Sequence, residues 1–289
     1  MNQKKNNILT DFDTSKVSWL KSGGRIKKLI KIFNEDELKL INSKEIFNNT
    51  MLPIGNFSNL LITDKGFLGT GVKLLGNFSK IKIEKDFLLV GAGVLDNFFS
   101  QYCYRKNIKG YEFLYTIPGS IGGNIFMNAG CYDHEIKDKL ISIIYYDFKE
   151  SKIFEIKIDD LNFSYRKGFQ KPNTLILYGK FQIEFGDQLS IKNLMKEYEN
   201  NRNSTQPQKV NCCGSIFKNP VNQNAWKLIK TSIDKSFYNG PVKLSMKHSN
   251  FFENDPNISA DLIHDFIKVI QKKVKEKYGV VLESELQII

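Results

Sequence analysis

The run Ile117-Pro118-Gly119-Ser120-Ile121-Gly122-Gly123-Asn124, with Met127-Asn128-Ala129-Gly130 close behind it, constrains this chain more than any other stretch. Small residues set among apolar ones suit a loop that must lie close against another surface. Glycine lacks a Cβ, so such a peptide can adopt left-handed angles and turn its N–H groups toward an anion. The run therefore reads as a phosphate cradle, for a cofactor or a nucleotide. It lacks the strand–GxGxxG–helix layout of a Rossmann site and the lysine of a P-loop.

The rest of the composition narrows the classes. A chain of 289 residues can bury a substantial core or divide into two or three small domains. Its 41% hydrophobic and 25% charged content is ordinary for a globular protein. No apolar run approaches the roughly 20 residues needed to span a bilayer. No apolar h-region follows Met1-Asn2-Gln3-Lys4-Lys5, so the expectation is a cytoplasmic protein without membrane insertion. Cys103, Cys131, Cys212 and Cys213 follow neither a metal spacing nor a disulfide framework, and the pair Cys212-Cys213 reads as two small residues in a tight segment rather than a redox dithiol. His134, His248 and His264 do not fall at ligand spacing, so no metal is expected. The net charge of +11 permits an anionic partner, but it is dispersed, and a nucleic-acid partner is not expected.

Along the chain, Gly23-Gly24 reads as a turn entering a strand, and Asp36 to Leu40 as the start of a short helix. MLPIGNFSNLLIT reads as strand, turn at Gly55-Asn56, and second strand. Segments 80–93, 140–158 and 175–185 carry strand signals, with helices over Leu95–Lys106 and Ile191–Asn203 between and after them. The tail 259–278 predicts a helix capped by Ser259, with Leu262, Phe266, Val269, Ile270 and Val274 as its apolar stripe. Gly279 stops it, and 281–286 reads as a strand. The whole is α+β in several small lobes.

Five stretches carry more than packing: PIGNFSNLL at 53–61, the opening run, FSYR at 163–166, GSIFKNP at 214–220 and LESE at 282–285. Together with SWLKSGG near the start, GAGVLDNF at 91–98, EFLYTIPGSIGGNIFMNAGCYDHEIKD at 112–138, RNSTQP at 202–207, HSNFFEN at 248–254 and the closing GVVLESELQII, they resemble the UDP-N-acetylenolpyruvoylglucosamine reductases, from about Val17 to the C-terminus. Other FAD-linked oxidases share the first two stretches; the C-terminal motifs separate the reductases from them.

The resemblance implies a two-lobed FAD-binding fold of the vanillyl-alcohol oxidase/PCMH type plus a C-terminal α+β substrate-binding domain. The expected lobes are 1–77 and 78–188, with the third domain over 189–289, in the compact subtype of the family. FAD would set its diphosphate against Gly55, Asn56, Ser58, Asn59 and Leu60 on one side and Pro118, Gly119, Ser120, Gly122, Gly123 and Asn128 on the other. NADPH would supply the hydride, and the enolpyruvyl ether of a UDP-sugar would receive it in peptidoglycan precursor synthesis, in a monomer. Arg166 would pair with the substrate carboxylate and stabilise the enolate. Ser215 would protonate C2, and Glu285 would assist at the enolate. Tyr165, Lys218 and Asn219 would touch substrate.

Four departures stand out. Phe57 and Asp133 replace family glycines, Gln287 stands where an arginine is general, and 231–241 is a loose version of a glycine-rich stretch. They leave two further readings open: a degenerate, non-catalytic flavin-fold binding protein, or another FAD-linked oxidoreductase of the same fold. The intact Arg166, Ser215 and Glu285 favour an active reductase.

Overall fold

The computed structural model describes residues 7–41 and 51–289; the Met1–Lys5 stretch lies outside them. The chain divides into two compact units. The first comprises Met1–Thr10, Lys28–Asn56 and Gly69–Asn201, and the second Asp11–Lys27, Phe57–Leu68 and Arg202–Ile289. Both units are thus assembled from separated stretches of sequence.

In chain order the early strands are β1 (Ile8–Asp13), β2 (Arg25–Ile32), β3 (Met51–Ile54), β4 (Leu60–Leu61, in the second unit), β5 (Phe67–Leu74), β6 (Ile81–Ile83) and β7 (Phe87–Gly91). Helices α1 (Asp96–Arg105) and α2 (Ile121–Met127) follow, then β8 (Gly130–Cys131), β9 (His134–Glu135), β10 (Leu140–Asp147), β11 (Lys152–Lys157) and β12 (Thr174–Gln182). A four-stranded sheet has the order β1-β2-β5-β3, and a five-stranded sheet the order β11-β10-β12-β7-β6. Ile30, Ile32 and Val72 from the first sheet share a buried cluster with Leu175 and Leu177 of the second. A second cluster, with Phe99, Tyr111, Ile121, Ile125, Ile143 and Phe181, packs α1 and α2 on the five-stranded sheet. That packing is what fixes the glycine run, which leads into α2.

The later elements are α3 (Gln188–Thr205), α4 (Ala225–Ser232), β13 (Val242–Leu244), β14 (Phe252–Asn254), α5 (Ala260–Tyr278) and β15 (Gln287–Ile288). In the second unit Ile229 of α4 and Ile263, Ile267, Ile270 and Val274 of α5 bury against Leu20, Leu61, Ile216, Phe217, Leu282 and Leu286. Ser259 caps α5, accepting from the Leu262 N–H at 3.2 Å, and Gly279 ends it at φ +69°.

The strand–turn–strand of 51–63 is present, its two strands serving different sheets: β3 pairs in parallel with β5, and β4 pairs in parallel with β15 of the second unit. Two expectations are corrected. The buried stripe of α5 is 263, 267, 270, 274; Leu262 and Val269 are exposed, so only Ile270 and Val274 of the expected set point fully inward. Segment 281–286 is not a regular strand; it makes a single bridge, Ser284 to Phe217, before β15. The short helix expected at Asp36 to Leu40 is present as a 3-10 helix over Glu35–Leu40.

Candidate active site

The glycine run works by close packing. Gly119, Gly122 and Gly123 all lie outside the left-handed region, contrary to the expectation from sequence. A Cβ on Gly119 would stand 2.4 Å from Asp96 Oδ2, and one on Gly122 would stand 2.9 Å from the Ala92 Cβ. Both gaps are too short for a carbon, so the glycines let the run press against the segment after β7. The Ile121 and Gly122 N–H groups are committed there as well, donating to Val94 O at 2.9 Å and Ala92 O at 2.8 Å. They are not turned toward an anion.

The Gly55-Asn56 turn closes on the same run from β3. Asn56 Nδ2 donates to Pro118 O at 2.9 Å. A Cβ on Gly55 would meet Ser120 Oγ at 2.8 Å, and that hydroxyl is buried with no hydrogen-bond partner among the described residues. Closely packed small residues beside an unsatisfied hydroxyl suit a bound diphosphate. Lys73 of β5, unremarked in the sequence, donates Nζ to Gly55 O at 2.5 Å. Burial, and then the neighbouring Lys31 charge, pulls its pKa down. Its signal was a charge in the otherwise apolar alternation of GVKLL.

Asn128 ends α2 in the left-handed conformation at φ +46° and is fully buried. Its amide donates to Glu135 Oε2 at 2.9 Å and to Ser164 O at 3.0 Å. It thereby ties the glycine run to the turn Ser164-Tyr165-Arg166-Lys167, which is closed by Lys167 N–H to Ser164 O at 3.0 Å. Arg166 occupies the left-handed position of that turn at φ +53°; it donates Nη2 to Gly130 O at 2.9 Å and lies over the Tyr165 ring at 4.9 Å. A non-glycine residue held at positive φ is a strained placement, kept here by both flanking bonds.

In the second unit a backbone ladder joins the serine and glutamate motifs. Glu285 N–H donates to Ile216 O at 2.8 Å, and Lys218 N–H donates to Glu283 O at 2.9 Å. Ser215 and Glu285 are therefore held on adjacent segments. Asn59 Nδ2 donates to Glu285 O at 3.0 Å, and Leu60 of β4 pairs with Gln287, so these two expected flavin contacts also anchor the glutamate segment. The buried Asn250, quoted in a motif but given no role from sequence, brackets the Phe217 peptide: Nδ2 donates to its carbonyl at 2.8 Å and Oδ1 accepts from its N–H at 3.0 Å. Lys218 Nζ lies 2.5 Å from Glu283 Oε1, and Asn219 Oδ1 accepts from Ala225 N–H at the start of α4.

Comparison with known proteins decides the family. Residues 206–289 match the profile of the UDP-N-acetylenolpyruvoylglucosamine reductase C-terminal domain. The UDP-N-acetylenolpyruvoylglucosamine reductase of Pelagibacter ubique is 35% identical over 292 residues, covering 100% of this chain and 96% of that protein. The one from Rickettsia conorii is 35% identical over 96% of this chain and 94% of that protein. The chain belongs to the UDP-N-acetylenolpyruvoylglucosamine reductases. The crystal structure of the reductase from Thermus caldophilus superimposes with a TM-score of 0.83 at 26% identity, over 97% of each chain. The reductase fold, the oxidoreductase class and the family's FAD and NADPH, all expected from sequence, stand on these matches. Among the described residues no helix is long and apolar enough to cross a membrane.

The reductase departures acquire a physical reason. Phe57 sits at φ +53° and Asp133 at φ +61°. Both are left-handed positions, where glycine is the residue with least strain. Phe57 offsets its strain by burial, with its ring 6.2 Å from that of Phe12.

Proposed function

We infer that the chain reduces UDP-N-acetylenolpyruvoylglucosamine to UDP-N-acetylmuramate with NADPH through FAD, a step of peptidoglycan precursor synthesis. The observation that carries this reading is the ladder from Ile216 to Glu285, which keeps Ser215 and Glu285 together inside one unit of a chain matched end to end by reductases.

The cradle fits a flavin diphosphate. Gly55, Asn56, Pro118, Gly119, Ser120, Gly122 and Gly123 would hold it, with Ser120 Oγ as a donor and Lys73 as the adjoining cation; Ser58, Asn59 and Leu60 are the further flavin contacts expected from the family motif. The chemistry FAD would supply there is hydride transfer from NADPH to C3 of the enolpyruvyl group. Arg166 would pair its guanidinium with the substrate carboxylate, where negative charge grows as C3 is reduced. Ser215 Oγ would deliver the proton to C2; a hydroxyl is a weak acid, but the carbanion is a far stronger base. Glu285 would sit at the enolate oxygens, while Tyr165, Lys218 and Asn219 would touch the sugar nucleotide. Asn128 would act by holding the arginine turn. The lobes 1–77 and 78–188 would carry the flavin and 189–289 the substrate, in a cytoplasmic monomer where both NADPH and UDP-sugars are made.

The test is anaerobic. Purified protein loaded with FAD should bleach with NADPH and regain its flavin absorbance when the enolpyruvyl sugar nucleotide is added. Ser215→Ala should keep the first half-reaction near the parent rate and lose the second. Absence of substrate-dependent reoxidation in the parent overturns the function, and equal loss of both halves in the variant overturns the proton-donor role.

A further inference from the structure

Asp96, the first residue of α1, is completely buried beneath the glycine run. Its backbone N–H reaches Gly119 O at 3.3 Å, and Leu95 bridges Ser120, so the segment is pinned to the cradle from below. Neither oxygen of its carboxyl has a hydrogen-bond partner among the described residues, and the buried Asn124 Nδ2, Ser100 Oγ and Ser120 Oγ are also unsatisfied. The point a Gly119 Cβ would occupy is 2.4 Å from Asp96 Oδ2 and 3.0 Å from Asn124 Oδ1, so carboxyl and amide together fill the space that glycine leaves open.

We propose that Asp96 is a positioning residue of the cofactor cradle: an un-ionised carboxylic acid that, against Gly119 and Asn124, sets the Pro118–Gly123 peptide in place for the FAD diphosphate. The proposal rests on the flavin reading above. A buried carboxylate needs a cation or several hydrogen bonds to stay charged, and the groups that act on this one, the Asn124 amide and the Gly119 peptide, are neutral and imperfectly aligned. Burial raises its pKa well above the ordinary carboxylate range, outweighing the pull of Asn124 and Gly119. The start of α1 favours negative charge only modestly. A retained proton makes the group a donor as well as an acceptor, so it can serve the Asn124 amide beside it. It also removes a charge that would repel the diphosphate proposed for this run.

Three proteins test this: the parent, Asp96→Asn and Asp96→Ala. Each is titrated with FAD by flavin fluorescence, and each is examined at neutral pH for the infrared C=O stretch of a protonated carboxylic acid, which stands clear of the amide bands. The parent should show that band and Asp96→Asn should lose it. Asp96→Asn, neutral and of the same shape, should bind FAD within about twofold of the parent, whereas Asp96→Ala should weaken binding roughly tenfold. A parent without an Asp96-dependent band, or an Asn variant as weak as the Ala variant, overturns the proposal. If Asp96→Ala does not fold, the band and the Asn variant still decide it. A parent that shows the band but binds no FAD sinks the flavin reading, and the cradle role with it, while leaving the protonated state of Asp96 established.

Discussion

Asn56 Nδ2 donates to Pro118 O at 2.9 Å, so the turn after β3 and the glycine run after α1 meet through one side chain. The contact is possible because Gly55 carries no Cβ where Ser120 Oγ comes within 2.8 Å of that position. Asn56→Ala should therefore cost about 1 kcal/mol of stability through the lost bond. It should also weaken FAD binding several-fold, because the diphosphate wall loses its cross-link. Gly55→Ala should weaken FAD binding further, since the added methyl drives against Ser120. Titration of the two apoproteins with FAD gives the comparison, and unchanged affinity in Gly55→Ala would sink the cradle assignment.

The two replaced glycines separate strain from packing. Asp133 is exposed and left-handed, so its strain is offset by little burial. Asp133→Gly should gain about 0.5 kcal/mol, the small balance of relieved strain and glycine's larger unfolded-state entropy. Phe57 has the same backbone angle but is buried beside Phe12. Phe57→Gly should lose roughly 2 kcal/mol, because the burial given up exceeds the strain relieved. Urea unfolding of both variants reads the opposite signs directly.

Much of the architecture was legible in the sequence because it is written locally. Ser259 and Gly279 mark α5 at both ends, and the residues of β10, β11 and β12 announce themselves by composition. What failed is what depends on partners distant in sequence. Leu262 and Val269 are as apolar as Ile263 and Ile267, and only the position of Leu20, Leu61 and Phe217 chooses between faces about 100° apart. The strands on either side of the IGN turn are legible in sequence, but their partners are not: β3 and β4 serve different sheets. The candidate catalytic residues were visible through motif order, whereas Lys73, Asp96 and Asn250 were not. Their work is done on backbone atoms of other segments: Gly55, Gly119 and Phe217.

Asp64 gives a pH-dependent prediction. Its Oδ1 accepts from Ala260 N–H at 2.9 Å, its Oδ2 accepts from the Ser259 hydroxyl, and its own N–H donates to Asp261 Oδ1 at 3.3 Å, so a distant loop adds a second cap to α5. Burial pushes its carboxyl up, but the Ser259 bond and the Ala260 and Asp261 N–H groups together hold it below the ordinary value of 3.8. A depressed folded pKa means that the unfolded chain binds the proton more readily, so the stabilisation is complete above the unfolded value and is lost as pH falls through the folded one. Asp64→Ala should cost about 1 kcal/mol at neutral pH. The gap to the parent should shrink below about pH 4. Urea midpoints at several pH values check this, and a gap that stays constant into acid would show that the cap does not depend on the carboxylate.

Asn250 offers the sharpest separation between the two half-reactions. It satisfies both the N–H and the carbonyl of Phe217, while its own carbonyl accepts from Ile216 N–H at 2.9 Å. These three bonds fix the peptide that immediately follows Ser215, and Ile216 O is in turn the acceptor for Glu285 N–H. Asn250→Ala leaves two buried backbone groups without partners, at roughly 1–3 kcal/mol each. Asn250→Asp keeps the acceptor for Phe217 N–H but replaces the donor with an oxygen that faces the Phe217 carbonyl, so it should be no better tolerated. In both variants NADPH should still reduce the flavin at a rate near the parent's, because the glycine cradle belongs to the other unit. Reoxidation by the enolpyruvyl substrate should slow by roughly a hundredfold, the effect expected when a proton donor is misplaced by about 1 Å. Stopped-flow measurement of each half-reaction resolves the two rates. If both fell together, Asn250 would be supporting the whole fold, whereas a selective loss of the second assigns it to holding Ser215 and Glu285 in register.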